Sequence, residues 1–438
     1  MRIFIDCSKI DFHRQPTGIP RVVLQYIECG YRWAATSGVD VIPVVTAPEG
    51  LIAVRPAPGV GAPGWLTELA DGTSLSAAAD ASLEMAAYHL QSALVAAGHT
   101  PAGGRCNAEI RSAFGHISAE ASIPAFDVAP DDVLFCPAYW HDIPPRHFKA
   151  LQQRGCKIAT LVHDVLPITF SRFYQAPWKY EFEANLLAAM RNSDALFAVS
   201  DYTAESMREL AERKGIGGVK VDVAYNGYHP MVSDETLRKI TSGTFRPVLR
   251  NATRYELIAE TQPFLMVGSV EPKKGHIPTV RAFEALWSAG LQRPLVIVGR
   301  KGWLEESVVH AISTSTYLHD KLHWFEDFDD LDLAFAYHHS RGLIFSSYAE
   351  GFGIPMVEAL CAGRPVVGYD TPINREVLGE HGLIFDDFRS LASHVLRLDS
   401  DAGFAAACSD VASFHWPRWD EMTGRLFATL VERFAPAP

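Results

Sequence analysis

Two glutamates with seven residues between them, Glu350 and Glu358, enclose the glycine-rich loop at residues 351–353. The apolar run 342–345 precedes the loop, and good helix formers follow Pro355, whose missing N–H and preset φ suit the start of a helix. The pattern therefore predicts a strand, a loop and a helix. Bare backbone N–H groups and the positive end of the helix then meet in one place, which is an anion site.

Both carboxylates border this predicted pocket. A carboxylate has no electrostatic reason to lie against a phosphate, whereas hydroxyl groups are its natural hydrogen-bond partners. A phosphate flanked by hydroxyl-binding carboxylates is typical of a sugar nucleotide. The pattern also leaves open an ordinary strand–loop–helix turn with surface glutamates.

Three further residues stand where predicted strands end. His163 follows the apolar run 158–162, at the edge of a sheet where α/β proteins bind ligands; a structural histidine is the alternative. Gly18 follows the first predicted strand, and its missing Cβ would let the backbone approach a phosphate or a sugar; a plain turn glycine is the alternative. Lys274 lies just past a strand of the second half, and a solvated surface lysine is the alternative.

The elements that must position these residues are short β-branched runs alternating with helical patterns, which predicts an α/β fold with parallel sheets. Strands are predicted at residues 3–7, 41–45, 133–137, 158–163, 195–200, 220–225, 264–268, 295–299, 322–325, 342–346, 365–369 and 382–385. We interpret them as two Rossmann-like βαβ domains facing across a cleft, at residues 1–255 and 256–412. The polar segment 233–261 connects them, and residues 48–130, rich in Ala, Gly, Pro and Ser, are predicted to be an insertion with one or two helices.

Composition excludes several classes of protein. The chain has 438 residues, 48% of them hydrophobic and 21% charged, which is ordinary globular usage and not that of disordered, collagen-like or disulfide-scaffold chains. The net charge of −12 argues against a nucleic-acid partner, which would require a basic face. Seven scattered cysteines without a Cys-x-x-Cys pair favour reduced thiols in the cytoplasm, and the N-terminus is predicted to begin a strand and not a signal peptide.

The charge is unevenly distributed, since 16 basic and 25 acidic side chains in residues 251–438 leave −9 in the half that carries the glutamate pair. An anionic donor would therefore be held by a few focused cations and N–H groups. We expect the surplus acids, including the run 326–332, to lie largely elsewhere.

The segment from Glu350 to Glu358 resembles the defining motif of the retaining glycosyltransferases of family four, also called glycosyl transferases group 1, which have the GT-B fold. Further similar segments occur in the family's order, at residues 16–21, 162–164, 199–200, 225–227, 267–276, 297–303 and 362–367. The segment 414–419 resembles the family's closing element, so we expect residues 413–438 to form a helix that crosses back to the N-terminal domain. Residues 371–376 replace the family's Leu-Pro-Glu, with Glu376 as the matching acid.

The resemblance implies roles for individual residues. His163, Glu350 and Lys274 would be catalytic: Glu350 binds the transferred sugar, Lys274 contacts the diphosphate, and the histidine lies near the donor sugar. Glu358 would bind the ribose hydroxyls. The family often has Arg where this chain has Ser269, so Arg21 and Arg300 are candidates for the second cation that neutralises the diphosphate. All the further residues that would bind the donor are Gly18, Arg21, Gly268, Ser269, Lys273, Arg300, Gly351, Phe352 and Gly353.

Three rival interpretations deserve weight. The acidic triplets within residues 327–332 imitate the Asp-x-Asp metal motif of the other common sugar-transferase fold, but acids also suit the first turn of a helix, which we predict over residues 331–339. No metal site is predicted. The two remaining alternatives are a nucleotide-sugar epimerase or hydrolase of the same fold and a non-catalytic nucleotide-sugar-binding protein.

The resemblance thus predicts a metal-independent hexosyltransferase with no cofactor, using a nucleotide diphosphate sugar as its donor. The opening segment looks like the subset that builds bacterial surface polysaccharides and lipopolysaccharides, so GDP-mannose is the first donor to test and a glycan or lipid-linked glycan the expected acceptor. The expected location is the cytoplasm, with peripheral contact to the inner face of the cytoplasmic membrane.

Overall fold

The structure, a computed structural model, describes residues 1–8, 18–47, 50–53, 128–138, 140–143, 145–174, 176–245 and 252–435. Within them the chain forms two α/β domains, each built on a twisted sheet with helices on both faces. This confirms the predicted fold class. The one or two helices expected at residues 48–130 lie outside the described residues, as does Cys106.

The N-terminal sheet has the strand order β3-β2-β1-β4-β5-β6-β7. Its strands are β1 (Arg2–Asp6), β2 (Asp40–Ala47), β3 (Gly50–Ala53), β4 (Val133–Cys136), β5 (Lys157–Val162), β6 (Ala195–Ala198) and β7 (Asp222–Val223). All neighbours are parallel except β2 and β3. The helices are α1 (Ile19–Ser37), α2 (Pro145–Gln153), α3 (Leu166–Thr169), α4 (Ala176–Asn192), α5 (Asp201–Arg213) and α6 (Asp234–Thr241).

The C-terminal sheet is parallel throughout, in the order β10-β9-β8-β11-β12-β13. Its strands are β8 (Phe264–Val267), β9 (Leu295–Val298), β10 (Leu322–Phe325), β11 (Gly342–Phe345), β12 (Val366–Tyr369) and β13 (Gly382–Phe385). The helices are α7 (Ala252–Thr261), α8 (His276–Ser288), α9 (Glu306–Ser313), α10 (Asp330–His339), α11 (Ile354–Cys361), α12 (Pro372–Leu378), α13 (Phe388–Asp399), α14 (Asp401–Val411) and α15 (Trp419–Phe434). Central strands are buried on both faces, which explains their continuous apolar runs.

The structure corrects the sequence interpretation at three places. Gly50–Ala53 falls within the insertion predicted at residues 48–130, but it forms an edge strand that pairs antiparallel with β2. The strand predicted at residues 220–225 is reduced to Asp222–Val223. The polar segment 233–261 contains two helices, α6 and α7, and the predicted domain boundary at residue 255 stands inside α7, which packs on α10 of the C-terminal domain.

Helix α15 leaves the C-terminal domain and packs along α1. Trp419 is buried there with its ring edge-on to Tyr26 at 5.2 Å, and Phe427 meets Trp33 at 5.6 Å. The approach to this helix is so close that a Cβ on Gly227 would lie 2.4 Å from the Cα of Trp419, so only glycine fits. No helix of the described part of the chain is long and apolar enough to cross a membrane.

Candidate active site

The segments that follow β8 and β11 leave the sheet side by side, because these strands are parallel neighbours. The first ends in the short 3-10 turn Pro272–Lys274, and the second leads through residues 346–353 into α11. They touch closely: a Cβ on Gly275 would lie 2.3 Å from the carbonyl oxygen of Ser346. Sheet order therefore joins the lysine-bearing and glutamate-bearing motifs into one site.

The loop before α11 presents backbone donors. Gly353 precedes the helix with φ 99°, a left-handed conformation that favours glycine, and no side chain caps the helix. Within the described ranges, the N–H groups of Phe352 and Gly353 meet no acceptor. Together with the helix dipole they offer a place for an anion.

Glu350 lies in direct contact with Lys274. Its Oε1 is 2.5 Å from the Lys274 ammonium, and it also accepts a hydrogen bond from the Ser347 hydroxyl. Burial alone would raise the pKa of Glu350, but the nearby Lys274 and Lys273 ammonium groups and these hydrogen bonds lower it below its ordinary value. The carboxylate is therefore ionised and held in one orientation.

Lys273 points away from that pair, toward the N-terminal domain. Its ammonium lies 3.8 Å from Glu271 and 3.4 Å from the Tyr174 hydroxyl, while Glu271 accepts a 2.5 Å hydrogen bond from Ser269. Burial would lower the pKa of Lys273, but Glu350, Tyr174 and Glu271 raise it above its ordinary value. Lys273 therefore carries a buried positive charge next to the site.

Glu358, on α11, faces a second cation. Its Oε2 accepts a hydrogen bond from the buried Tyr337 hydroxyl at 3.0 Å, and Arg21 of the N-terminal domain lies 4.0 Å from its Oε1. Burial raises the pKa of this carboxyl, and Arg21 opposes the shift. The guanidinium also contacts Asp330 at 3.2 Å, and its Nη2 is buried without a partner in the described residues.

The charge distribution predicts that the acidic run 326–332 lies largely away from the donor site. Asp330 of this run faces the cleft instead. The rest of the run behaves as predicted for a helix start, because Asp329 caps α10 and forms a capping box with Asp332.

Two cavities lie in this region. One is lined by Arg21 of α1, Glu358 of α11, Trp419 of α15 and the segment 227–229. The other lies at the carboxyl ends of β8 and β11 beside Lys274 and Ser347. The charged groups of the site thus border open space on both sides of the glutamate-bearing segment.

His163 lies at the carboxyl end of β5, against the glycine loop. Its Nε2 is 2.6 Å from the carbonyl oxygen of Pro137, and since a carbonyl can only accept, Nε2 carries the proton. Burial lowers the pKa of His163. A Cβ on Gly351 would lie 1.7 Å from the His163 carbonyl oxygen, so glycine is required where the two domains meet.

Two sets of hydrogen bonds fix the domains against each other, and we call them the interdomain clasp. Ser200 and Thr203 donate to the carbonyl oxygen of Gly351 at 2.6 and 3.3 Å. The Glu376 carboxylate accepts from the backbone N–H groups of Asp201 and Tyr202, both at 2.8 Å, and so caps α5 from the other domain. The structure is therefore closed around the site.

Not every residue proposed from the sequence joins this group. Gly268 does, because a Cβ there would lie 3.7 Å from the Lys274 side chain. Gly18 caps α1 with φ 61°, one turn from Arg21, and a Cβ there would meet nothing in the described residues within 4 Å. Arg300 is exposed, and its side chain meets no other site residue that the structure describes. The Phe352 ring is buried against Trp416, which leaves its N–H for a ligand.

Sequence reasoning missed Tyr337, the contact of Asp330 with Arg21 and the hydrogen bonds of the interdomain clasp. Ser200 had a local signal, because Ser-x-x-Thr before a helix predicts a cap, and Ser200 does cap α5. Its bond to Gly351 had no such signal. Tyr337 reaches Glu358 only because α10 and α11 flank the same strand.

The C-terminal domain, which carries most of the site, is similar in sequence to known proteins. Residues 253–412 match the model of the family described as Glycosyl transferases group 1. Among curated relatives, the serotype-specific mannosyltransferase WbdA of Escherichia coli is 31% identical over 259 residues, which are 58% of this chain and 31% of WbdA. O-antigen chain mannosyltransferase B of the same organism is 24% identical over 275 residues, 61% of this chain and 68% of that protein. The chain thus spans about a third of the length of the first of these relatives.

Solved structures show the same fold over nearly the whole chain. Anabaena HepE, solved with UDP and glucose, has a TM-score of 0.57 at 16% identity, covering 98% of this chain and 99% of its own. Sucrose-phosphate synthase from Thermosynechococcus elongatus has a TM-score of 0.59 at 17% identity, covering 99% of both chains. Residues 253–412 are therefore similar to the glycosyl transferases group 1, within a chain that has the GT-B fold.

Proposed function

We propose that this protein is a retaining glycosyltransferase that moves a hexose from a nucleotide diphosphate sugar to a hydroxyl group of a glycan. The observation that carries the proposal is the 2.5 Å contact between Lys274 and Glu350 beside the uncapped N-terminus of α11. A cation and free N–H groups suit a diphosphate, and the adjoining carboxylate suits a sugar hydroxyl. The match of residues 253–412 to the model of the glycosyl transferases group 1 supports the same activity.

Each charged group has a partner on such a donor. The diphosphate would lie between the Lys274 ammonium and the N–H groups of Phe352 and Gly353, while Glu350 accepts from hydroxyls of the transferred sugar. Glu358 would accept from the ribose hydroxyls, with Arg21 compensating the charge. This small set of cations resolves the conflict between an anionic donor and an acidic domain.

The chemical step needs no protein nucleophile in this proposal. The bond between the anomeric carbon and the diphosphate oxygen breaks, and its electron pair leaves with the diphosphate. The acceptor oxygen attacks from the same face, forms the new bond and gives its proton to the departing diphosphate, so the configuration is retained. Lys274 and the loop N–H groups stabilise the developing charge, and domain closure excludes water. We propose no metal or cofactor.

Mannose is the sugar we propose first, with GDP-mannose as donor. The support is that WbdA and O-antigen chain mannosyltransferase B are both named as mannosyltransferases. By the same support, we propose a glycan or lipid-linked glycan acceptor in O-antigen or related polysaccharide synthesis.

We also propose that the protein works in the cytoplasm, in peripheral contact with the inner face of the membrane. The described cysteines are all free, as in a reducing compartment. Cell fractionation with a salt wash tests this location: recovery in the periplasm, or only after detergent extraction, would contradict it.

A panel of nucleotide sugars tests the activity. Purified protein is incubated with GDP-mannose, UDP-glucose and related donors, with and without oligosaccharide acceptors, and products are identified by mass spectrometry and their anomeric configuration by NMR. Glu350→Gln and Lys274→Met should each reduce transfer by about hundredfold, the cost typical of losing one electrostatic contact in the transition state.

The matched controls are Glu380→Gln and Lys220→Met, which alter exposed side chains outside the site. Full transfer rates in both site variants would refute the assignment of the site. Donor binding without any turnover would favour the non-catalytic alternative, and a rearranged nucleotide sugar would favour the epimerase.

A further inference from the structure

A row of stacked aromatic rings crosses from one domain to the other beside the site. Tyr174 stacks on Trp178 of α4 at 5.4 Å, and Trp178 stacks on Trp303 of the C-terminal domain at 6.1 Å. Trp303 is 58% exposed, which is rare for so large a ring. Neither tryptophan has a part in the donor chemistry described above.

The row is continuous with the candidate active site. Its inner end, the Tyr174 hydroxyl, lies 3.4 Å from the Lys273 ammonium, and Lys273 directly precedes the lysine that pairs with Glu350. A second ring pair, Phe173 stacked on Tyr348 at 6.4 Å, joins the segment before α4 to the loop 346–353 of the other domain. The aromatic row therefore leads from the reacting groups outward to an exposed tryptophan.

The surroundings of Trp303 fit a sugar better than a lipid surface. The axial C–H groups of a pyranose form an apolar face with positive hydrogens, which packs on the negative face of an aromatic ring. Glu305 and Glu306 follow the exposed Trp303 and Leu304 directly. Their carboxylates accept hydrogen bonds from hydroxyls. They also offset the charges of the exposed Arg300 and Lys301 on the other side of Trp303, so the patch has no net positive charge to attract anionic lipid headgroups.

We propose that Trp303, supported by Trp178, is an acceptor subsite that stacks on a sugar of an oligosaccharide acceptor at a distance from the reacting hydroxyl. This inference rests on the proposed function and extends it, because it names an acceptor of several sugars and not a single one. The Trp178 ring separates Trp303 from Tyr174, at centroid distances of 6.1 and 5.4 Å, so we expect an acceptor with one sugar ring held at the reacting groups to fall short of Trp303.

The test compares wild type with Trp303→Ala, using methyl α-mannopyranoside and an α-linked mannotrioside as acceptors. The KM for the trisaccharide should rise about threefold to tenfold, the range expected for one lost aromatic contact. The KM for the monosaccharide and the slow hydrolysis of the donor without acceptor should stay unchanged. Trp303→Tyr should restore most of the lost affinity. Phe388→Ala is the control, since Phe388 is an aromatic residue 54% exposed on α13.

Several results would overturn the subsite. Equal losses with both acceptors, or reduced donor hydrolysis, would assign the ring stack to domain closure. Unchanged trisaccharide kinetics together with lost binding to vesicles of phosphatidylglycerol and phosphatidylethanolamine would assign Trp303 to a membrane.

If the wild type uses neither acceptor, saturation-transfer NMR makes the same comparison with the trisaccharide, and no binding to the wild type overturns the subsite. Absence of any donor turnover by the wild type would instead count against the proposed function.

Discussion

Replacing Glu376 should open the two domains without unfolding either. Its carboxylate accepts from the N–H groups of Asp201 and Tyr202, both at 2.8 Å, at the positive end of α5. Hydrogen bonds to a charged group contribute about 1.5–3 kcal/mol each, and the helix end adds about 0.3–1 kcal/mol. Glu376 is half-buried, and water takes over its hydrogen bonds when the domains separate, which reduces the net contribution. We therefore expect Glu376→Ala to destabilise the closed arrangement of the domains by about 2 kcal/mol in total.

That energy corresponds to a shift of roughly thirtyfold toward the open state. Spin labels on exposed positions of the two domains measure this shift through the distance between them. The amides of Asp201 and Tyr202 do not report it, because Glu376→Ala removes their acceptor even in the closed state. The ratio of open to closed distances should rise about thirtyfold in Glu376→Ala, and the radius of gyration from X-ray scattering should increase. Glu376→Gln, which keeps one oxygen acceptor but not the charge, should lie between this variant and the wild type.

Glu380→Gln is the control, because Glu380 is exposed a few residues further along and takes no part in the interdomain clasp. An unchanged distance distribution between the domains in Glu376→Ala would refute the clasp. A loss of overall stability with unchanged domain separation would show that Glu376 only caps α5.

Two further substitutions test the site, and a third tests how a buried histidine affects stability. Gly351→Ala should reduce transfer by about hundredfold, because its Cβ would lie 1.7 Å from the His163 carbonyl oxygen and hold the domains apart. Arg21→Met should raise the KM for the donor about tenfold, because it leaves Glu358 buried without its cation. Burial lowers the pKa of His276 from 6.5 to about 4, so between these values only the unfolded state takes up the proton. The free energy of unfolding should therefore fall as the pH falls from 6.5 to 4, by up to about 3 kcal/mol, and urea denaturation should show a smaller fall in His276→Gln.

Matched controls separate these effects from general damage. Gly217→Ala has open space around its Cβ, and Arg213→Met and His310→Gln alter exposed side chains. Normal kinetics in Gly351→Ala would show that the domains tolerate a wider separation. An unchanged donor KM in Arg21→Met would remove Arg21 from the donor site, and equal pH dependence in wild type and His276→Gln would refute the assignment of that proton.

Local pattern was sufficient for the strand–loop–helix unit around Glu350, since its strand, glycines and helix start are neighbours in the chain. Sheet order, which brings Lys274 to that loop, followed only from the family resemblance. The contact of Arg21 with Asp330 could not be predicted, because it depends on how the two domains face each other. The strand Gly50–Ala53 was missed for another reason: it is only four residues long, follows Pro48 and begins a stretch rich in Ala, Gly and Pro, so its apolar residues are too few to show a pattern.

Tyr26 and Trp33 of α1 pack against α15, and this packing determines when the N-terminal domain can finish folding during synthesis. A ribosome makes α1 long before residues 419–434, so the N-terminal domain emerges with an apolar helix face that nothing yet covers. That face is covered only after the whole C-terminal domain has been made. The N-terminal domain therefore completes its core after the later-synthesised domain, and a chain ending near residue 412 would expose the same surface permanently and tend to aggregate.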